Sequence, residues 1–158
     1  MTSPHPNPSR RTPAGLPKGE GARVVVITGA NGALGNKAAQ SFAARGHSLV
    51  LVGTDQNKLD SLARELNLPD DRLLTIVADL RDRKAVHSAA EAVSAKFGRV
   101  DALLHLVGGW VGGKTLSEAS AEDLESMLGQ HVWTTFHLFQ SFGPKLESNG
   151  WGRVMIVS

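Results

Sequence analysis

The stretch Val24-Val25-Val26-Ile27-Thr28-Gly29-Ala30-Asn31-Gly32-Ala33-Leu34-Gly35 decides how this chain folds. The β-branched apolar run Val24 to Ile27 suits a strand buried on both faces, as in a parallel sheet. Glycines at 29, 32 and 35 follow at once, and Ala33 to Arg45 then carries a helical pattern. Strand, glycine turn and helix in that order are the setting in which such a motif binds a dinucleotide. Gly29 permits the tight turn, and a glycine in mid-turn, Gly32, lets backbone approach a pyrophosphate. Gly35 lets the helix pack close to the sheet. The helix N-terminus offers free N–H groups and the positive end of its dipole to the phosphates. Gly29, Ala30, Asn31, Gly32, Leu34 and Gly35 are therefore the first candidate cofactor residues. The alternative is a turn that serves only to join strand to helix.

Outward from this stretch, strands and helices alternate. Strands are expected at Arg23 to Thr28, Ser48 to Gly53, Leu73 to Ala78, Val100 to Val107 and Arg153 to Val157. Helices are expected at Ala33 to Arg45, Gln56 to Leu66, Arg81 to Phe97 and Ala121 to Glu147. Val86, Ala89, Ala90, Val93 and Phe97 mark the buried face of the third helix, and Leu124, Leu128, Val132, Phe136 and Phe139 that of the fourth. Gly46, Pro69, Gly98 and Gly150 punctuate the helix ends. Such alternation with short connections makes an α/β protein, a parallel sheet with helices on both faces. No solenoid repeat is present.

Composition fits one soluble domain: 158 residues, 41% hydrophobic and 20% charged. No apolar run approaches the roughly 18 residues needed to span a membrane, so no membrane partner is expected. There is no cysteine, which excludes disulfides and thiolate chemistry and is compatible with a cytoplasmic location. No metal site is expected. The pI near 9.2 reflects the N-terminal tail, where Arg10, Arg11, Lys18 and Arg23 stand against Glu20 alone. The remainder is close to neutral, and no basic face for nucleic acid is evident. Residues 1–21 are proline-rich and read as a disordered extension. They bear arginines like a transit peptide but have no amphipathic helical pattern. Residues 22–158 form the folded domain.

Taken together, these motifs resemble the short-chain dehydrogenase/reductase family of NAD(P)-dependent oxidoreductases, from about Arg23 to the last residue. Its single-domain members space their glycines as T-G-x-x-x-G-x-G. Here they fall as T-G-x-x-G-x-x-G from Thr28, with Ala33 at the family's second glycine. The second shared motif is Ala78-Asp79-Leu80 after the third strand. The resemblance implies that Asp79 and the Leu80 backbone hold the adenine, and Asp79 also suits an N-cap for the helix near Arg81. The third is Leu104-His105-Leu106-Val107-Gly108, where the family usually has N-N-A-G behind the nicotinamide ribose. Gly108 is kept, and Leu106 and Val107 can offer backbone. His105 and Leu106 replace the asparagines, whose sheet-steadying side-chain bonds are expected to be lost, with His105 packing in the sheet.

Cofactor choice falls on Gly53-Thr54-Asp55. A carboxylate pairs with the ribose 2′-OH in NAD sites, and arginine accommodates a 2′-phosphate. Thr54 is neither. Asp55 suits both the ribose and the N-cap of the next helix, so NAD and NADP stay open. Family catalysis uses a Tyr-x-x-x-Lys pair, a serine after the fifth strand and an asparagine on the long helix. His131 stands at the asparagine's position, either relaying a proton or packing on the sheet. Ser158 aligns with the first of the family's two serines. The sequence has no tyrosine.

The resemblance implies a Rossmann-like doubly wound sheet, with five strands of the family's 3-2-1-4-5-6-7 order present and the last ones missing. The expectation is thus the cofactor-binding portion of an oxidoreductase for a small carbonyl or alcohol substrate, truncated and inactive alone. A non-catalytic NAD(P)-binding sensor or partner subunit is the alternative. The Gly108 to Gly113 segment is expected to form a mobile loop over the nicotinamide, or else a connection that buries Trp110. Strand Val154 to Val157 would be an uncovered edge and would favour self-association.

Overall fold

In a computed structural model, residues 21–157 are described; the tail expected over residues 1–21 lies outside them but for Gly21, and Ser158 lies outside them too. β1 (Val24–Thr28) is buried at every position. It pairs in parallel with β2 (Ser48–Gly53) on one side and β4 (Ala102–His105) on the other. β3 (Leu73–Val77) extends the sheet beyond β2, and β5 (Arg153–Ile156) extends it beyond β4. The order is β3-β2-β1-β4-β5, as expected for a Rossmann-like sheet.

The two-residue period of a strand divides the core. Val25, Ile27, Leu49 and Leu51 face α1 (Ala33–Ala44) and α2 (Gln56–Leu66), meeting Ala39, Leu59 and Leu62. Val24, Val26, Val50 and Val52 face the other way, towards α3 (Arg83–Phe97) and a long C-terminal helix, meeting Val86, Val93, Leu138 and Phe142. Asp101 is wholly buried and accepts the Val24 N–H at 2.8 Å, tying the start of β4 to that of β1.

The long helix departs from expectation. It runs as α4 (Ala121–Met127), a π turn over Leu128–Trp133, and α5 (Thr134–Ser148). Leu124, Leu128, Val132, Phe136 and Phe139, expected to be buried, are all exposed, and the face on the sheet is Thr134, Leu138, Phe142 and Leu146. The helix is apolar on two opposite sides. The interior of the sheet selects the side that carries Leu138 and Phe142, whereas helical periodicity alone is equal for both. The start of α3 also differs. Its cap is Asp82, which accepts the Lys84 N–H at 2.8 Å, and Asp79 lies outside the helix.

Candidate functional site

A cleft of about 460 Å³ opens along the C-terminal ends of β1, β2, β3 and β4. Ligands sit at this edge of open α/β sheets, where the strand order reverses about β1. Of the expected cofactor residues, Gly29, Asn31, Gly32, Thr54, Asp79, Leu80, Leu106, Val107 and Gly108 line it. Ala30 is buried beneath the turn and Leu34 points mostly to solvent. Asp55 does not line the cleft; its carboxylate caps α2, accepting the Lys58 N–H at 3.1 Å. Sequence reasoning missed Val52, Gly53, Ala78, Arg81, Gln130 and Thr134, which also line it.

The turn itself is built for close approach. Gly29 has φ of +70°, and a Cβ there would stand 2.8 Å from the Leu106 carbonyl oxygen. A Cβ on Gly35 would collide with the Gly29 carbonyl and Ala30 Cα, so α1 rests directly on the turn. Gly32 is the N-cap of α1, with no side chain capping it and no acidic residue in the first turn. The first N–H groups of that helix therefore face outward without a protein acceptor, as an anion site requires.

At the β3 end, the Asp79 carboxylate accepts the Arg81 N–H and pairs with its guanidinium at 2.9 Å. The hydrogen bonds from Arg81 hold the Asp79 carboxyl below the usual range, so it is an acceptor at neutral pH. At the β4 end, Gly108 and Gly109 pass against the side chains of His131 and Gln130, leaving no room for a Cβ. His131 Nε2 bonds the Gly109 carbonyl at 2.8 Å, so this imidazole fastens the loop after β4 to the π turn.

His105 is buried in the sheet as expected, and its ring also makes a cross-strand bond that sequence reasoning missed, Nδ1 meeting Thr28 Oγ1 at 2.8 Å. Trp110, on the loop, is exposed and does not fill the interior. Beside the cleft lies a second hollow of about 540 Å³, lined by Leu106, Gly108, Gly109, Trp110, Met127, His131 and Val157. Among the described residues no group of acidic, histidine or cysteine side chains could hold a metal ion, and no helix is long and apolar enough to cross a membrane.

A parallel 3-2-1-4-5 sheet with a glycine-turned helix N-terminus at its carboxyl edge defines a Rossmann-like nucleotide-binding fold. Residues 23–158 match the family model of the short chain dehydrogenases, and the chain belongs to that family. It is 34% identical over 143 residues to dehydrogenase/reductase SDR family member 7B of Xenopus laevis, covering 87% of this chain and 44% of that protein. It is 30% identical over 142 residues to the NADPH-dependent pterin aldehyde reductase of Arabidopsis thaliana, covering 84% of this chain and 58% of the relative. The solved L-sorbose reductase of Gluconobacter frateurii, complexed with NADPH and L-sorbose, superposes with a TM-score of 0.77 at 28% identity, covering 87% of this chain and 52% of that one. The chain spans about half the length of the curated relatives it matches.

Proposed function

We propose that this chain is the dinucleotide-binding portion of a short-chain oxidoreductase that interconverts a small carbonyl compound and its alcohol, and that residues 22–158 form that unit. The observation that carries this is the Gly29–Gly35 turn, which aims the uncapped N-terminus of α1 into the cleft shared by Asp79 and Gly108. The backbone of Asn31, Gly32 and Leu34 would hold the pyrophosphate, with Gly29, Ala30 and Gly35 shaping the turn. Asp79 would accept from the adenine amino group and Leu80 would offer backbone. Thr54 would meet the ribose, since Asp55 is engaged at α2; its hydroxyl suits a 2′-OH and a 2′-phosphate alike, so the cofactor is NAD or NADP. Leu106, Val107 and Gly108 would back the nicotinamide ribose. The bound nicotinamide would supply or accept the hydride.

The hollow beside the cleft is the natural place for substrate, with His131 its ionisable side chain. His131 is held to Gly109 and serves first to position the loop. A proton donor for the carbonyl oxygen is still needed, and the chain contains no tyrosine. We therefore read it as binding-competent and inactive alone. The second reading, a non-catalytic NAD(P)-binding sensor or partner subunit, rests on the same cleft. The location proposed is cytoplasmic. The exposed apolar residues of β5 and α5 support association with a second copy.

Fluorescence titration with NADH and NADPH tests the shared core of both readings. Saturable binding of either cofactor is the expected result, and binding of neither would overturn both. Turnover of a carbonyl substrate by the chain alone would overturn its inactivity.

A further inference from the structure

The π turn at Leu128–Trp133 has a specific set of fasteners. A π turn shifts the backbone ladder from i→i+4 to i→i+5 bonding. Two threonine hydroxyls bond back onto its carbonyls: Thr134 Oγ1 donates to the Gln130 carbonyl and Thr135 Oγ1 to the His131 carbonyl, each at 2.6 Å. Thr134 is buried, and its oxygen also lies 3.2 Å from His105 Nε2.

These distances fix the imidazole's hydrogen. The single Thr134 hydroxyl proton is committed to the Gln130 carbonyl, so the oxygen can only accept from His105, and Nε2 carries the hydrogen. Nδ1 is then an acceptor and takes the Thr28 hydroxyl proton at 2.8 Å; the competing acceptor, the Leu104 carbonyl, is 3.5 Å away. Hydrogen bonds run one way, from Thr28 through His105 and Thr134 to the Gln130 carbonyl. The charged form is disfavoured there: burial pushes the His105 imidazole down to about 4, and the nearby His131 adds to the effect.

We propose that His105 is a positioning residue, a neutral imidazole strut that locks the π turn against the ends of β1 and β4 and so sets where Gln130 and Thr134 stand at the cleft and His131 at the hollow beside it. The strut is anchored at both ends by neutral hydroxyls, and the titratable group beside it is His131. Its consequence for cofactor binding rests on reading the cleft as a dinucleotide site; its consequence for the turn does not.

The test uses the whole chain and three variants. Thr134→Val keeps the shape and removes the hydroxyl, His105→Phe removes both bonds, and His105→Asn can retain the bond to Thr28. Long-range nitrogen–proton NMR of the wild type should show His105 protonated at Nε2 with Nδ1 bare. Amide exchange over residues 128–135 should quicken about tenfold in Thr134→Val and in His105→Phe, the scale of one net hydrogen bond, while β2 amides keep their protection. The double variant His105→Phe/Thr134→Val should lose no more protection than the worse single one. NADH or NADPH should bind about tenfold more weakly to Thr134→Val. The opposite tautomer, or unchanged exchange in Thr134→Val, would overturn the strut. If the wild type binds neither cofactor, the dinucleotide reading fails, and exchange and tautomer still decide the strut. If His105→Phe does not fold, Thr134→Val and His105→Asn carry the same readouts.

Discussion

On the β2 side of β1, the inner strand residues Leu49, Val50, Leu51 and Val52 are no more than 1% exposed, closed in by helices from neighbouring units of the chain. On the β4 side, β5 shows Val154 at 38%, Met155 at 58% and Ile156 at 43%, and α5 turns Phe136 and Phe139 outward. The first flank is closed over at β2. The second presents exposed apolar side chains on an edge strand and on the neighbouring helix, of the kind that marks an interaction site. Between the two stands His105, bonded to β1 on one side and to the start of α5 on the other.

The largest expected effect falls on that junction. His105 has a folded-state pKa of about 4 against an ordinary 6.5. As pH falls below 6.5 the unfolded chain takes up a proton that the folded chain refuses, so stability is lost progressively until about pH 4, by up to about 3 kcal/mol. His47 is also lowered, by burial and by Arg23, Arg45 and Arg72, and adds loss of the same sign. Urea melts at several pH values for the wild type and His105→Asn separate the two, since the variant should keep only the His47 share. An equal pH dependence in both proteins would remove His105 from the junction.

Next in size is the packing of the finished flank. Gly35→Ala places a methyl against the Gly29 carbonyl and should cost about 2 kcal/mol, the scale of overpacking, together with cofactor binding. Gly143→Ala, a helical glycine of α5 with open space around it, should instead gain roughly 0.5–1 kcal/mol. Chemical denaturation of the pair measures the contrast, and equal effects would mean that the turn is no tighter than the far helix.

The open flank is probed at Phe136. Phe136→Glu should weaken self-association at least about tenfold in sedimentation, near 1.4 kcal/mol, while stability stays within about 0.5 kcal/mol as for a surface change. A monodisperse wild-type monomer at high concentration would show that the exposed surface needs no second copy. The smallest effect is at Asp55. Asp55→Ala should cost about 1 kcal/mol and Asp55→Asn almost nothing, because asparagine caps as well as aspartate. Equal loss of NADH affinity in both variants would return Asp55 to the ribose.

The same division governs what the sequence reveals. Val24 to Gly35 is legible because strand, turn and helix are consecutive and each glycine answers a local demand. Asp55 was legible as one of two roles, and in the structure its carboxylate takes the capping one. On the other flank local rules run out. Helical periodicity picks out the Phe136 and Phe139 side of α5, whereas the side that meets Leu103 and Val26 is chosen by distant strands. The π turn leaves no local signature, so Gln130 and Thr134 reach the cleft unannounced, and Arg81 enters only by folding back on Asp79. His105 was legible as a side chain packed in the sheet, but its bonds to Thr28 and Thr134, from far along the chain, were not.

The central claim is that the carboxyl edge of the sheet around β1 binds a dinucleotide. Its most direct test is amide NMR of the whole chain during titration with NADH and NADPH. The expected result is saturable shifts confined to residues 29–35, 79–81 and 106–108. Absence of shifts there with either cofactor, in a folded chain, would contradict it.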